Sequence, residues 1–528
     1  MKRTLISAAC ILMYAAAFAQ NLNPTVEVTN AYAREASGIE KPSQLLELPD
    51  SVLRFNLDFE YAVNEMPYKG AYEFKPYLVQ LRPQARPAKE GTLFLRAGAG
   101  YSLHPEFTVV YTPVQTQKLR VNLYGDHHSY FGSYVGDWEG KDLHTQAGAD
   151  MLLDWRSGNL QMDVQYNNIF AQDIETFMNH HQVKASARVT NVPGTTKVDY
   201  DLNTRVAYTS TRAGINEIHT QTDAQLGARI FGRNLRLLAS AETVTQPGGT
   251  AASFSVTPRY VRGGARFSFN AGVKLAYVLR SEDEFAPTAG GYIFPDVMLS
   301  WKIAPEYLTL FGAVTGGNEL VSYESLLAQN HFIDAFIWGT DVKRVNVAAA
   351  IGLRGNIAHR FFYEAKGGYS WMGNSWLWGE MMPAGTPALC YGGPIHGAFL
   401  EGETGWKNHF LDVKAHLKYT KTLNKPTIIT ENVLPYLPAE FSGDAHVFYN
   451  WGARFRAGVT VEGRSAMNCP AGGSVPGYVN LGLEGKFQIT PWLGTWVLFN
   501  NLLNQEIWHI PYYAQKGPYF TVGASLSL

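Results

Sequence analysis

The sequence VNLGLEGKFQI, residues 479–489, and the closing sequence FTVGASLSL, residues 520–528, decide the fold of this chain. In both stretches apolar side chains alternate with polar or small ones, the period of two that gives a β-strand two different faces. The chain's last strand runs up to Leu528. A closed barrel pairs its last strand with its first and leaves no edge. We therefore predict a β-barrel.

The composition agrees with a barrel that spans a membrane. The chain holds 29 Tyr, 28 Phe and 12 Trp among 528 residues, yet its mean hydropathy is slightly negative. No run approaches the roughly 18 apolar residues of a membrane helix. A wet interior and a lipid-facing exterior explain this balance, so outer-membrane lipid is an expected partner. The formal net charge is −1, and nothing indicates a nucleic-acid partner.

The N-terminal part differs from the rest. Residues 1–19 have two basic residues, an apolar core and a small-x-small pattern, which predicts a signal peptide cleaved after Ala19. Residues 20–90 are rich in polar residues and proline. We expect them to form a short plug-like or periplasmic segment, in the lumen or at the periplasmic mouth. The barrel is predicted to occupy residues 91–528.

Strand-like segments continue from residue 91 to the end, about 22 in all, as expected for an antiparallel, all-β transmembrane barrel. Short turns alternate with long loops such as 315–343 and 372–395; the first hairpin, at 104–106, is the main exception. Outer-membrane barrels have short periplasmic turns and long extracellular loops, whereas a soluble sandwich or propeller has no such asymmetry.

Charged residues occupy the face opposite the apolar one, for example within 410–421 and 453–464. This pattern favours a water-filled or plugged lumen over the dry core of a sandwich. Such charges either pair with each other or with the N-terminal segment, or set the selectivity of a pore. The candidate lumen charges are Lys414, Arg454, Arg456 and Glu484.

Aromatic residues are concentrated in two loops. Trp371, Trp376 and Trp378 lie at the start of the 372–395 loop, and Trp508 lies in the closing loop. Exposed rings could stack on a sugar or another ligand. The favoured alternative places them in the aromatic girdle of the barrel or in a loop that folds inward.

Two cysteines follow the signal peptide, Cys390 and Cys469, both in stretches rich in Gly and Pro. An oxidising envelope would allow them to form a disulfide. Two free thiols are the alternative.

No catalytic, metal or cofactor site is expected. The chain lacks Gly-x-Ser-x-Gly, His-Glu-x-x-His and Walker-type glycine motifs. The adjacent pairs His127-His128 and His180-His181 would point to opposite faces of a strand, so neither pair can easily chelate one metal ion. The dipeptide His128-Ser129 is the only support for an enzyme hypothesis.

The C-terminal motifs resemble those of a known family. The sequences VNLGL at 479–483, ITPWL at 489–493, NNLLNQE at 500–506 and FTVGAS at 520–525 resemble the last strands of TonB-dependent receptors, of the type abundant in Bacteroidetes. The resemblance implies transport or ligand uptake across the outer membrane. It does not extend to a full plug domain or a TonB box. The final Leu528 also replaces the usual aromatic residue.

Three functions remain open. The leading hypothesis is transport or uptake of a small-molecule or glycan ligand, without a cofactor. The second is a structural or assembly role, in which residues 20–90 dock on another envelope protein. The third is an outer-membrane enzyme.

Overall fold

The computed structural model describes residues 92–101, 104–133, 139–172, 177–192, 194–212, 214–230, 233–280, 290–331, 341–381, 386–426, 433–452, 454–510 and 513–528. All of them belong to the larger of two compact units. The predicted signal peptide, residues 1–19, and the predicted plug-like segment, residues 20–90, lie outside the described residues. Both stay predictions.

These residues form 27 strands and one short helix. The strands are β1 Leu93–Tyr101, β2 Glu106–Gln115, β3 Leu119–Ser133, β4 Glu139–Trp155, β5 Gly158–Gln172, β6 Phe177–Asn191, β7 Val198–Thr211, β8 Asn216–Ile230, β9 Arg233–Gln246, β10 Gly249–Arg262, β11 Phe267–Arg280, β12 Gly290–Ala304, β13 Leu308–Val321, β14 Asp341–Ile357, β15 Phe361–Met381, β16 Thr386–Lys407, β17 Leu411–Thr422, β18 Val433–Pro435, β19 Phe441–Trp451, β20 Phe455–Arg464, β21 Met467–Asn468, β22 Ser474–Val475, β23 Tyr478–Gln488, β24 Leu493–Asn500, β25 Trp508–Ile510, β26 Tyr513–Ala514 and β27 Tyr519–Ser527. The helix, α1, spans Tyr323–Leu327.

Twenty-two of these strands close into one antiparallel barrel. The ring closes between β27 and β1, where Phe94 lies opposite Ser527 and Tyr101 lies opposite Phe520. The short strand β18 pairs with β15, while β21–β22 and β25–β26 form small separate hairpins. The predicted fold class and strand number are confirmed. Closure removes the exposed edges that an open sheet of this size would leave.

The outer face of the barrel is apolar, as the alternation predicts. On β7, the side chains of Val198, Leu202, Val206 and Tyr208 are between 41 and 44% exposed. The other strands repeat this pattern, so apolar side chains surround the barrel. A continuous apolar surface of this extent requires lipid to cover it, which defines a transmembrane β-barrel fold.

Two strands extend well beyond a membrane. A tilted strand of about 9–11 residues spans the hydrocarbon layer, whereas β15 has 21 residues and β16 has 22. The loop expected at 372–395 is therefore mostly a projecting hairpin, and that boundary prediction is wrong. Where this hairpin projects, other parts of the protein cover both of its faces. The sequence Trp376-Leu377-Trp378 therefore shows no alternation.

The two ends of the barrel differ. At one, which we call the turn end, connections are short; β4 ends at Trp155 and β5 begins at Gly158. At the other, the loop end, Val321 and Asp341 bound the long connection that contains α1. No helix in the described ranges is long and apolar enough to cross a membrane. The buried apolar clusters lie at the loop end.

Candidate functional site

Charged side chains on the inner wall pair with one another. The Nε atom of Arg259 lies 2.8 Å from a carboxylate oxygen of Asp296, and a second guanidinium nitrogen lies 2.6 Å from it. Arg259 reaches across β11 at Gly272, where a Cβ atom would lie 3.2 Å from that carboxylate and 2.7 Å from a backbone carbonyl oxygen. Arg188 makes a similar pair with Asp201, at 2.9 and 2.6 Å. These charge-assisted pairs link β10 to β12 and β6 to β7 across the inner wall.

A second row of charges crosses four strands. Lys366 on β15 is 5% exposed, and its ammonium lies 3.0 Å from the Glu401 carboxylate on β16. Glu401 lies 3.2 Å from His416 on β17, which lies 3.2 Å from Asp444 on β19. The buried ammonium of Lys366 is therefore compensated by the Glu401 carboxylate.

Three of the four predicted lumen charges also form ion pairs. Lys414 lies 2.9 Å from Glu403, and Glu484 lies 2.8 Å from Lys486. The Arg456 guanidinium lies 3.7 Å from Asp412 and 4.3 Å from the ring centroid of Phe448. Arg454 is exposed and directly precedes β20. Whether these groups set the selectivity of a pore stays a prediction.

The loop-end tips of β13 and β14 pack against the inner wall. Leu320 and Val342 form a buried cluster with Val244, Ala251 and Val278, on β9, β10 and β11. Each of these wall residues lies on the face opposite the exposed apolar residues of its strand. The β13–β14 hairpin therefore bends toward the lumen.

Helix α1 continues this inward course. Its first backbone amides are bonded: the Glu217 carboxylate on β8 accepts hydrogen bonds from the N–H groups of Tyr323 at 2.6 Å and Glu324 at 3.0 Å. The Ser322 hydroxyl accepts one from the N–H of Ser325 at 3.2 Å. A short helix is not stable alone, so these bonds fix it on the wall.

Glu324 attaches α1 to three further wall residues. Its carboxylate lies 3.0 Å from the Lys184 ammonium, accepts a hydrogen bond from Nδ1 of His219 at 3.1 Å, and pairs with the Arg205 guanidinium. The side chain is 4% exposed. Burial alone would raise its pKa, but the His219 hydrogen bond and the charges of Lys184 and Arg205 outweigh burial and lower the pKa to about 2. The carboxylate stays charged at neutral pH.

The described part of this connection ends on two further strands. The backbone carbonyl of His331 accepts a hydrogen bond from Nε2 of His180 on β6, at 3.0 Å. The ring nitrogen Nδ1 of His331 lies 3.2 Å from the carboxylate of Asp142 on β4. We call residues 321–331 the inner strap. Together with the hairpin tips it follows the inner wall from β11 to β4.

The predicted ligand-loop tryptophans separate into three places. Trp376 and Trp378 pack against the cluster that holds α1, and Nε1 of Trp378 donates a hydrogen bond to Gln329 at 2.9 Å. Trp371 is 40% exposed on the outer face, stacked on a histidine ring. Trp508 packs against the cluster of Cys469. The structure does not bring the four together, and a ligand role for them stays a prediction.

Cys390 and Cys469 are both free and buried in adjoining clusters. The segment that includes Val433 and Leu434 contributes to both clusters. Cys390 lies in the projecting part of β16, where burial, and then the charge of Cys469, raises the pKa of its thiol to about 12. Protonated thiols react slowly, so a disulfide here would need a catalyst to form. It stays a prediction.

The histidines singled out from the sequence have ordinary partners. Nε2 of His128 lies 2.5 Å from Asp126, whereas the Ser129 hydroxyl donates to the carbonyl of Pro105 at 2.9 Å. His127 lies 2.8 Å from Thr145. Across the described ranges, no group of three or more His, Cys, Asp and Glu residues is arranged to hold a metal ion.

Solved structures with this fold include an iron transporter and siderophore receptors. The FrpB iron transporter from Neisseria meningitidis superposes with a TM-score of 0.63 at 9% identity, over 84% of this chain and 83% of that one. The ferric-catecholate import receptor Fiu from E. coli K12 gives 0.62 at 10% identity, over 84% and 82%. A ferric enterobactin receptor from Pseudomonas aeruginosa, in complex with enterobactin, gives 0.61 at 10% identity over the same shares.

This likeness establishes the fold. The neighbours have the barrel shape of the family that the C-terminal motifs resemble. No protein-family model matches the chain, and no curated protein matches its sequence. The structural neighbours are transporters and receptors rather than enzymes.

Proposed function

We propose that this chain is an outer-membrane protein that takes up a small-molecule ligand. The observation that carries the proposal is the closed 22-stranded barrel with an apolar exterior and a charged interior. Barrels of this size enclose a lumen wide enough to need a plug. The neighbours that share the shape are an iron transporter and siderophore receptors, so a siderophore is the first ligand class to test.

The proposal includes the parts of the chain outside the described residues. The chain is exported, cleaved after Ala19, and inserted with the loop end facing outward. Residues 20–90 serve as a small plug, in place of the full plug domain and TonB box of Bacteroidetes-type receptors. The tight connections at one end support this orientation, because periplasmic turns are short in outer-membrane barrels.

Ion conductance in planar bilayers tests the proposal. We expect deletion of residues 20–90 to increase the conductance of the purified protein, because the deletion removes the plug. Silence of both the full chain and the deletion variant would refute transport. It would favour the structural or assembly role, and co-purification would then identify the envelope partner.

We propose no enzymatic activity. The Ser129 hydroxyl donates its hydrogen bond to the backbone carbonyl of Pro105, and adjacent residues of a strand point to opposite faces, so the pair does not form a nucleophile and its base. Hydrolysis of a lipid or peptide by the purified protein, lost on His128→Ala, would contradict this part of the proposal.

A further inference from the structure

The inner strap lies on the lumen side of the wall at the loop end. Its contacts on β4, β6, β7 and β8 are with inward-facing side chains, and the hairpin tips extend these contacts to β9, β10 and β11. Twenty-two strands about 4.8 Å apart and tilted by about 40° give a barrel about 45 Å across at the backbone. A helix with its side chains is about 10 Å wide. The strap therefore removes a substantial part of the opening.

We propose that the inner strap sets the size limit for solutes at the loop end, and that the carboxylates of Glu217 and Glu324 hold it against the wall. This inference rests on the proposed transport function, because a size limit requires a solute path. Neither carboxylate belongs to the predicted lumen charges.

The wall side of the strap is held by charge. Glu324 faces Lys184 on β6, Arg205 on β7, and both His219 and Glu217 on β8. Undocking would leave the cations without their shared carboxylate. It would also deprive the buried Glu217 of two backbone N–H donors, although its bond from Gln246 at 2.7 Å would remain. Both losses favour the docked position.

The opposite side of the strap is held by apolar contact. Leu326 and Leu327 are at most 4% exposed and form a cluster with Leu389 of the projecting hairpin, against which Trp376 packs. These contacts do not depend on Glu324. Loss of the charged side therefore releases α1 from the wall without unfolding the loop end. The strap then stays attached to the hairpin that projects beyond the membrane, and the opening widens.

The test compares two charge-removing variants of the full chain. Glu324→Gln removes the charged contacts that hold the strap on the wall, which we call the clamp. Glu319→Gln removes a carboxylate from the same hairpin, but this side chain is 62% exposed and lies 3.3 Å from Lys343. Swelling of proteoliposomes is measured in glucose and in oligosaccharides up to a tetrasaccharide. We expect the tetrasaccharide rate to rise relative to the glucose rate in Glu324→Gln and to stay at the wild-type ratio in Glu319→Gln.

Hydrogen exchange of α1 supplies a measurement that does not depend on transport. The partners of Glu324 lower its pKa from the ordinary 4.5 to about 2, which corresponds to a preference of about 300-fold for the docked position when the carboxylate is charged. We expect exchange at the amides of residues 323 and 324 to be slow in the wild type and about 300-fold faster in Glu324→Gln. The wild-type result alone refutes the clamp if these amides exchange freely.

Each outcome decides one step. Equal exchange in Glu324→Gln and Glu319→Gln overturns the clamp. Faster exchange with an unchanged swelling ratio overturns the size limit. If no full-length form admits sugar while the variant without residues 20–90 conducts, the strap is not the limiting element. Silence of that deletion variant refutes the proposed function instead, and exchange then decides the clamp on its own.

Discussion

Leu417→Arg places a charge at the middle of the lipid-facing surface. Leu417 on β17 is 70% exposed and lies opposite Gly443 of β19. Leu411 begins the same strand next to a short turn and lies on the same face, six residues away. Leu411→Arg is therefore a matched control that differs mainly in depth.

The magnitude follows from that difference. Six residues at about 3.4 Å each, in a strand tilted by about 40°, correspond to about 15 Å along the membrane normal. The apolar band of such barrels is about 25 Å tall, so Leu411 near one edge puts Leu417 close to the midplane. We expect Leu417→Arg to lower the free energy of unfolding by about 2–4 kcal/mol and Leu411→Arg by about 0–1 kcal/mol.

Reversible unfolding in lipid vesicles measures both values. Tryptophan fluorescence follows denaturant titration, and heat-modifiable migration on a gel confirms that each variant forms a barrel. An equal loss of unfolding free energy at the two positions would show that they do not differ in membrane depth. That result would refute the assignment of this face to lipid.

Three further predictions concern the interior and the loop end. Lys366→Met removes the cation beside Glu401 and should lower the free energy of unfolding by about 3–5 kcal/mol. The control Lys421→Met removes an exposed ammonium and should leave that free energy unchanged. Equal effects of the two substitutions in the same unfolding assay would contradict the buried pair. Because the pKa of Glu324 is lowered from 4.5 to about 2, its contribution to docking is full above pH 4.5 and is lost as pH falls toward 2. The protection of the α1 amides against hydrogen exchange, taken relative to their intrinsic exchange rate at each pH, should therefore fall over that interval in the wild type and not in Glu324→Gln. Constant protection in the wild type would oppose the clamp. Because both thiols are free in the structure and burial keeps Cys390 protonated, we expect maleimide to label both cysteines of the denatured chain without reduction. Labelling only after reduction would show that the exported protein carries the Cys390–Cys469 disulfide.

The membrane-facing part of the fold could be predicted because lipid imposes the same alternation of apolar and polar residues on every strand. Lipid requires an apolar side chain at every second position, as at Val198 and Leu202, while the inner face carries polar groups such as Asp201. Closure of the ring then requires an even set of antiparallel strands. Both constraints act locally or on the whole ring, so the sequence pattern alone reveals them.

The loop end could not be predicted in the same way. In the projecting hairpin, protein contacts replace lipid on both faces, and the period of two disappears around Leu377. The inner strap depends on Glu324 meeting Lys184 and Arg205, which are 140 and 119 positions earlier in the chain. No local pattern reports such a contact. The only sequence signal was a charged residue beside the apolar Leu326 and Leu327 in a long connection.

The pairing of interior charges affects how the barrel discriminates between solutes of different charge. Sequence alternation placed Lys414 and Arg456 in the lumen, but register and strand tilt decided that each lies near a carboxylate. Adjacent opposite charges cancel at distances beyond a few ångströms, so a wall built from such pairs produces a weak net field across a wide lumen. A weak field discriminates poorly between cations and anions. Selection by this barrel must then depend on the dimensions of the opening and on contacts at the loop end, where the strap and the projecting hairpin meet.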